Sequence, residues 1–141
     1  MHDIGKVAVP EFVLLKPGLL DAAERKIMEV HTIVGERICA PLKSFRSILP
    51  VIRSHHEKQD GSGYPDHLKG EEIPLTARIL QTVDIYDSLT TDRPYREALS
   101  TEKALEIMRE ETRRGWWDAT LVSALEGMLS DSPLKFSVAS V

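Results

Sequence analysis

Imidazole and carboxylate side chains recur along this chain in four groups, His2 with Asp3, His31, His55 with His56, and Asp84, separated by 24 to 29 residues. Neutral imidazole is the commonest protein metal ligand, and carboxylate oxygens complete such sites. A separation of that size is one helix plus one loop. Each group can therefore return to the same point of a helical bundle, where metal sites are assembled from facing helices. Nitrogen and oxygen donors without thiolate suit iron, manganese, zinc, cobalt or nickel rather than calcium, and do not choose among them. An HH pair alone sits equally well on a solvated helix end, so the weight rests on the whole set.

Neighbouring residues of a helix diverge by about 100°, so neither His2 with Asp3 nor His55 with His56 makes a tight chelate on one ion. Each pair can instead serve two adjacent ions, and Asp3, with two oxygens, is the natural bridge. Two metals about 3.5 to 4 Å apart lower the pKa of a shared water and clamp the nonbridging oxygens of a phosphate during in-line displacement. The chemistry implied is phosphoester hydrolysis. Lys6 follows Asp3 by three residues, on the same face, where its ammonium can steady charge growing on phosphorus oxygens. The alternative is a cation at a helix C-terminus, worth about 0.3 to 1 kcal/mol.

Asp87, one turn after Asp84, either orients a ligand imidazole from behind or is a solvated carboxylate. Arg93 and Arg96 flank Pro94 and Tyr95 just beyond the Asp84 group, suited to bidentate phosphate contacts over the same pocket. Tyr64 and Tyr95 can each stack on a base or pack sideways on the core. The turn through Asp60, Gly61 and Gly63 lets backbone approach a small molecule without a Cβ in the way. His67 has no partner at the right spacing and reads as a surface histidine. Trp116 and Trp117 read as core or dimer packing.

Helices must hold these groups. Met1 to Lys6 reads as the last turn of a helix closed near Gly5, followed by an extended connection to Pro10, a short helical turn to Leu14 and a turn at Lys16, Pro17 and Gly18. Asp21 and Glu24 form a capping box ahead of Ile27, Val30, Ile33 and Val34 at helical spacing, which puts His31 on a helix that Gly35 interrupts and Pro41 stops. Ile48, Leu49, Val51 and Ile52 lead a second helix into His55 and His56, with Pro50 in its first turn. Residues 58–73 form a long polar loop, of the kind usually kept for function.

Pro74 opens an amphipathic helix with Leu75, Ile79, Leu80, Val83 and Leu89 on one side, carrying Asp84 and Asp87. After a polar connection from Thr90 to Leu99, Ser100 caps a helix with Ala104, Ile107 and Met108 inside, ending by Gly115. Asp118 caps the last, with Leu121, Val122, Leu125 and Met128 as its stripe. With no β alternation visible, the expectation is all-α, a single helical bundle of roughly 5 to 7 helices. The domain covers 1–130, and 131–141 is a loose tail.

Composition narrows the function classes. The 141 residues are 42% hydrophobic, enough for one core and no second catalytic domain. A formal charge of −4 gives no general attraction to DNA, RNA or an anionic membrane, so a phosphate must be held locally. Cys39 is the only cysteine, which excludes an internal disulfide and a cysteine-cluster zinc site. No apolar run approaches the roughly 18 residues of a membrane span, and no secretion signal is visible. The expected location is the cytoplasm.

Together HDIGK at 2–6, KPG at 16–18, His31, HHEKQDGSGYP at 55–65, GEEIPLTARI at 70–79, VDIYDSLT at 83–90 and RPYR at 93–96 resemble the HD-GYP family of the HD metallohydrolase superfamily, in order and in spacing. The HD pair alone marks a superfamily that also includes nucleotidases, and the DGSGYP loop narrows the match. The resemblance implies an all-helical domain with a two- or three-metal centre that hydrolyses the bacterial second messenger cyclic di-GMP to linear pGpG and further to GMP. By motif, His2, Asp3, His31, His55, His56 and Asp84 are the implied ligands, with Asp3 bridging. Iron or manganese is favoured, with zinc, cobalt or nickel as alternatives. Lys6 is placed by the scissile phosphate, so Asp3 and Lys6 are the expected catalytic residues. Gly63 and Tyr64 shape the pocket wall, and Arg93 and Arg96 contact the ligand's phosphates.

Members of that family carry helices ahead of the HD pair that add a further histidine and sometimes a glutamate, and usually an N-terminal receiver or sensory domain. Diguanylate cyclase domains are expected partners. The expectation here is an N-terminally incomplete domain, whose uncovered core face can drive homodimerisation or swapping. Gln59 stands where an aromatic or basic residue is frequent. Two other functions fit part of the pattern: a module that binds ligand or partner without turnover, and a different HD-type nucleotide hydrolase that needs only the HD and HH pairs.

Overall fold

Asp21 begins the longest helix. Its Oδ1 accepts the backbone N–H of Ala23 at 2.8 Å and of Glu24 at 2.9 Å, and Glu24 Oε2 accepts the Asp21 N–H at 2.8 Å. This reciprocal capping box satisfies donors that a helix start leaves unpaired, and is worth about 1 kcal/mol. The computed structural model describes residues 1–92 and 96–131. Among them six α-helices follow one another: α1 Glu11–Leu14, α2 Ala22–Cys39, α3 Leu49–Ser54, α4 Leu75–Thr90, α5 Thr101–Arg113 and α6 Ala119–Asp131. Short 3-10 turns at Ile4–Ala8, Lys43–Phe45 and Gly70–Glu72 complete the order. The described residues make an all-helical domain, and no helix among them is long and apolar enough to cross a membrane.

The turn Ile4–Ala8 and α3 both lie against α2, α3 lies against α4, and α4 packs on α5 and α6, which also pack on each other. The apolar core sits at the α4, α5 and α6 end, where Leu89, Ala104, Leu105, Met108 and Val122 meet. A fully buried aliphatic side chain there contributes about 1.5 to 3 kcal/mol. The other end is different. His31, Thr32, Ser54, His55, Glu57, Gln81 and Thr82 are all buried, and polar groups are taken out of water only where partners satisfy them.

That polar interior reverses several expected faces. α2 runs unbroken through Gly35, and its buried face is His31, Gly35 and Cys39, while Ile27 and Val30 are exposed. On α4 the buried side is Ala77, Gln81, Thr82 and Leu89, with Leu75, Ile79 and Val83 exposed. The inward face of α2 carries His31, and that of α4 carries Gln81 and Thr82 before it reaches the apolar core at Leu89, so part of the apolar spacing points outward. In α6 Val122 is buried and Leu125 and Leu129 pack on the core, but Met128 faces solvent.

Boundaries shift too. Pro74 lies just outside α4 as its N-cap, and the first segment is a 3-10 turn that starts after Asp3 rather than a helix ending at Gly5. α6 reaches Asp131. The rest of the expected tail, residues 132–141, lies outside the described residues, as do Arg93, Pro94 and Tyr95.

Candidate metal centre

A glycine contact puts the first turn in place. A Cβ on Gly5 would lie 1.8 Å from the His31 carbonyl oxygen and 2.5 Å from the Gly35 nitrogen. Only a hydrogen fits, so the HDIGK turn is pressed onto α2 at the level of His31. Gly35 meets it from the other side, where a Cβ would lie 3.0 Å from Ile52 Cγ2. The same two glycines thus bring together the first turn, α2 and α3.

α3 ends at Ser54, and His55 is its C-cap. The expected divergence of His55 and His56 along a helix therefore does not apply. Their rings sit 4.2 Å apart between centroids, and one ligand atom from each of Asp3, His31, His55 and His56 falls in a group whose members all lie within 4.8 Å of one another. Asp3 Oδ1 is 3.6 Å from His31 Nε2 and 3.9 Å from His55 Nε2. Its Oδ2 turns the other way, 3.4 Å from His2 Nε2 and 2.8 Å from Lys6 Nζ. His2 Nε2 is also 3.8 Å from Asp84 Oδ1.

Hydrogen bonding fixes what these imidazoles present. His31 Nδ1 lies 2.7 Å from the Met28 carbonyl oxygen and His55 Nδ1 lies 2.7 Å from that of Ile52. A carbonyl only accepts, so both Nδ1 atoms carry the proton and both Nε2 atoms present lone pairs. Those two Nε2 atoms are 3.4 Å apart. Beside them Asp3 Oδ1 is buried with no hydrogen-bond partner. Two lone pairs and a carboxylate oxygen facing one another repel unless a cation lies among them. The donor set fits a divalent metal ion, which would be held by Asp3, His31, His55 and His56, with His2 and Asp84 beside them.

The titration behaviour agrees. Burial pushes His2, His31 and His56 below an ordinary imidazole, His56 to about 3, with His55 and His31 adding to the shift of His56. The His55 imidazole and then the Lys6 ammonium hold Asp3 far below the usual carboxylate range, against a desolvation that pushes it up. Ligands must be deprotonated to bind a metal, and these shifts keep Asp3, His31 and His56 deprotonated near neutral pH.

A cleft of about 590 Å³ ends on His55, His56 and Asp84, with Gly63 and Tyr64 in its wall. The Tyr64 ring stacks on His56 at 4.9 Å and 25°. Gly63 has no room for a side chain, since a Cβ would lie 2.3 Å from the Lys58 nitrogen and 2.4 Å from the Glu57 Cα. The loop is held from inside by Glu57, fully buried, whose Oε1 accepts the Asp66 N–H at 2.6 Å and whose Oε2 accepts the Leu68 N–H at 3.0 Å. Gln81 Nε2 on α4 donates to the Glu57 carbonyl oxygen. Sequence reasoning missed both residues. The available signal was a carboxylate directly after the histidine pair, which reads as a further ligand or a solvated charge rather than as an acceptor for loop backbone.

Other expected residues divide. Lys6 reaches Asp3 as anticipated. Arg96 does not enter the cleft: it is exposed, and its guanidinium donates to the Ser88 carbonyl oxygen on α4. Arg93 and Tyr95 lie outside the described residues. Asp87 is exposed, within 3.5 Å of the Thr91 hydroxyl, and His67 is exposed. Trp117 packs on the core as expected but also lines the cleft.

A family model described as HD domain matches residues 1–121, and this chain belongs to that family. Its DGSGYP loop and its relatives place it among the HD-GYP proteins. The chain is 46% identical over 110 residues to the 3'3'-cGAMP-specific phosphodiesterase 3 of Vibrio cholerae, covering 78% of this chain and 24% of the relative. It is 42% identical over 127 residues to the cyclic di-GMP phosphodiesterase response regulator RpfG of Xanthomonas campestris pv. campestris, covering 89% and 33%. A cyclic di-GMP phosphodiesterase of Thermotoga maritima is 40% identical over 111 residues, covering 74% and 29%. The matched regions span 24% to 33% of the length of these relatives.

Proposed function

We propose that this chain is the catalytic domain of a metal-dependent phosphodiesterase that opens cyclic di-GMP. Water adds across one phosphodiester, the bond from phosphorus to the 3' oxygen breaks, and linear pGpG leaves, with GMP as the product of a second cut. The observation that carries the reading is the convergence of Asp3, His31, His55 and His56, with the His31 and His55 lone pairs inward, at the end of a cleft large enough for a nucleotide. The names of the relatives support the substrate class.

His2, Asp3, His31, His55, His56 and Asp84 would hold two or three divalent ions, with iron or manganese favoured over zinc, cobalt or nickel. Bound there, such ions supply Lewis acidity toward phosphoryl oxygens and a water of lowered pKa. The protein's own residues do the rest. The carbonyls of Met28 and Ile52 lock the imidazole tautomers. Asp3 divides its oxygens between the imidazole cluster and Lys6, and Lys6 brings a positive charge to the edge of the site where phosphoryl charge grows. Tyr64, fixed on His56, and Gly63, which lets the loop close on itself, shape the wall against which the sugar and base lie.

A second substrate has specific support, because one of the relatives is named for 3'3'-cGAMP. The test is a metal-reconstituted sample incubated separately with cyclic di-GMP and 3'3'-cGAMP, with products resolved by chromatography. Release of pGpG is the expected result. Faster opening of 3'3'-cGAMP moves the assignment to that dinucleotide, and a sample with a full metal content that opens neither overturns it.

A further inference from the structure

We propose that Gln81 is a positioning residue for the metal centre: its amide clamps the tight turn that carries His55 and His56, from the helix that carries Asp84. The inference rests on the metal-centre reading above and adds to it a neutral residue that supplies no ligand atom. α3 is six residues long and ends at Ser54. The Glu57 N–H then donates to the Ser54 carbonyl oxygen at 3.0 Å, which closes a turn with the histidine pair at its two central positions. His55 sits there at φ −69° and ψ −5°, and the two rings come to 4.2 Å between centroids.

A single hydrogen bond is a weak lock for a turn that must hold two ligands. Gln81 reinforces it at both ends. Its Nε2 donates to the Glu57 carbonyl oxygen and stands 3.4 Å from that of Ser54. Both partners are carbonyls and only accept, so the amide presents its nitrogen here, with one hydrogen for each. The side chain is buried, at 6% exposure, in the wall of the cleft that His55, His56 and Asp84 also line. A buried amide satisfied in this way rigidifies the segments it joins.

Gln81 and Asp84 lie three residues apart on α4, on one side of the helix. One stretch of α4 therefore holds Asp84 3.8 Å from His2 and grips the carbonyls that flank His55 and His56. Through Gln81 the spacing between the Asp84 side of the site and the imidazole pair is set by a single helix. His31 stands on α2 with a backbone anchor of its own, its Nδ1 lying 2.7 Å from the Met28 carbonyl oxygen. Changing Gln81 should thus disturb His55 and His56 and leave His31 in place.

The test compares the parent chain with Gln81→Met, which keeps the length of the side chain and loses both donors, and with Gln81→Asn, which keeps the amide and shortens its reach. Nitrogen NMR of the metal-free, isotope-labelled chain in mildly alkaline buffer should show the Nδ1–H tautomer at both His31 and His55 in the parent. In both variants His55 should lose that single tautomer while His31 retains it. Competition with a chelator should show Mn²⁺ held about 10- to 100-fold more weakly, the range for loss of a group that orients ligands. Where Gln81→Met does not fold, Gln81→Asn carries the same comparison. An unchanged His55 tautomer or an unchanged Mn²⁺ affinity overturns the clamp, and so does equal loss at His31 and His55, which marks a general loosening. A parent chain that binds no divalent ion overturns the metal-centre reading instead, and the His55 tautomer then decides the clamp on the turn by itself.

Discussion

At the scale of single residues, Asp3 joins the two halves of the site. One oxygen is buried toward His31 and His55 without a hydrogen-bond partner, and the other is salt-bridged to Lys6. Asp3→Ala removes the anion that balances the metal charge, and should lower metal affinity by more than about 100-fold, beyond the cost of losing a residue that merely orients a ligand. Elemental analysis of the purified variant checks this, and a metal content equal to the parent's contradicts it. The identity of the donors was legible in the sequence, because imidazole and carboxylate are recognisable wherever they fall. What was not legible is that His55 and His56 come close enough to reach a single ion together. That depends on α3 stopping at Ser54, and the turn that follows swings both rings to one side.

At the scale of elements, the loop after α3 and the contact of the first turn with α2 set the precision of the site. Glu57→Ala leaves the N–H groups of Asp66 and Leu68 without their acceptor, at about 1 to 3 kcal/mol for each buried group. The urea midpoint should fall accordingly, and amide exchange at Asp66 and Leu68 should accelerate. Glu57→Gln keeps one acceptor oxygen and should lose less. Equal midpoints for all three proteins would show that the carboxylate does not hold the loop. Gly5→Ala forces the first turn off α2, because no space exists at 1.8 Å from the His31 carbonyl oxygen. It should cost about 1 to 3 kcal/mol and weaken metal binding in the same variant, measured by denaturation and by competition with a chelator. Stability loss with unaltered metal affinity would separate the turn from the site.

Caps were readable from short sequence spacing, and Asp21, Ser100 and Asp118 all accept backbone N–H groups as expected. Faces were not. The apolar residues Ile27, Val30, Ile79 and Val83 mark helices correctly while pointing outward, because the inward direction is taken by His31 on α2 and by Gln81 on α4.

At the scale of the whole molecule, the polar interior ties stability to pH. His2, His31 and His56 are held below an ordinary imidazole by burial, and Asp3 below an ordinary carboxylate by His55 and Lys6. In mild acid each group binds fewer protons folded than unfolded, so protons drive unfolding. The histidine contribution is complete above pH 6.5, the unfolded value, and fades as pH falls toward the value of about 3 held by His56. The urea midpoint of the metal-free chain should therefore drop steadily on acidification through that window. A midpoint that stays level or rises would contradict buried, neutral imidazoles.

Local order along the chain was enough to announce helices, their starts and the glycine-rich turn, since each depends on neighbours a few residues away, and residue type alone marked the candidate donors. The crossing of α2, α3 and α4 decided everything that needs distant residues to meet. It joined the imidazole cage, turned Glu57 inward to loop backbone, and placed Arg25, Lys58 and Trp117 around one cleft. Helix crossings follow from how whole faces and close glycine contacts fit together, and spacing along one strand of sequence carries no measure of that fit.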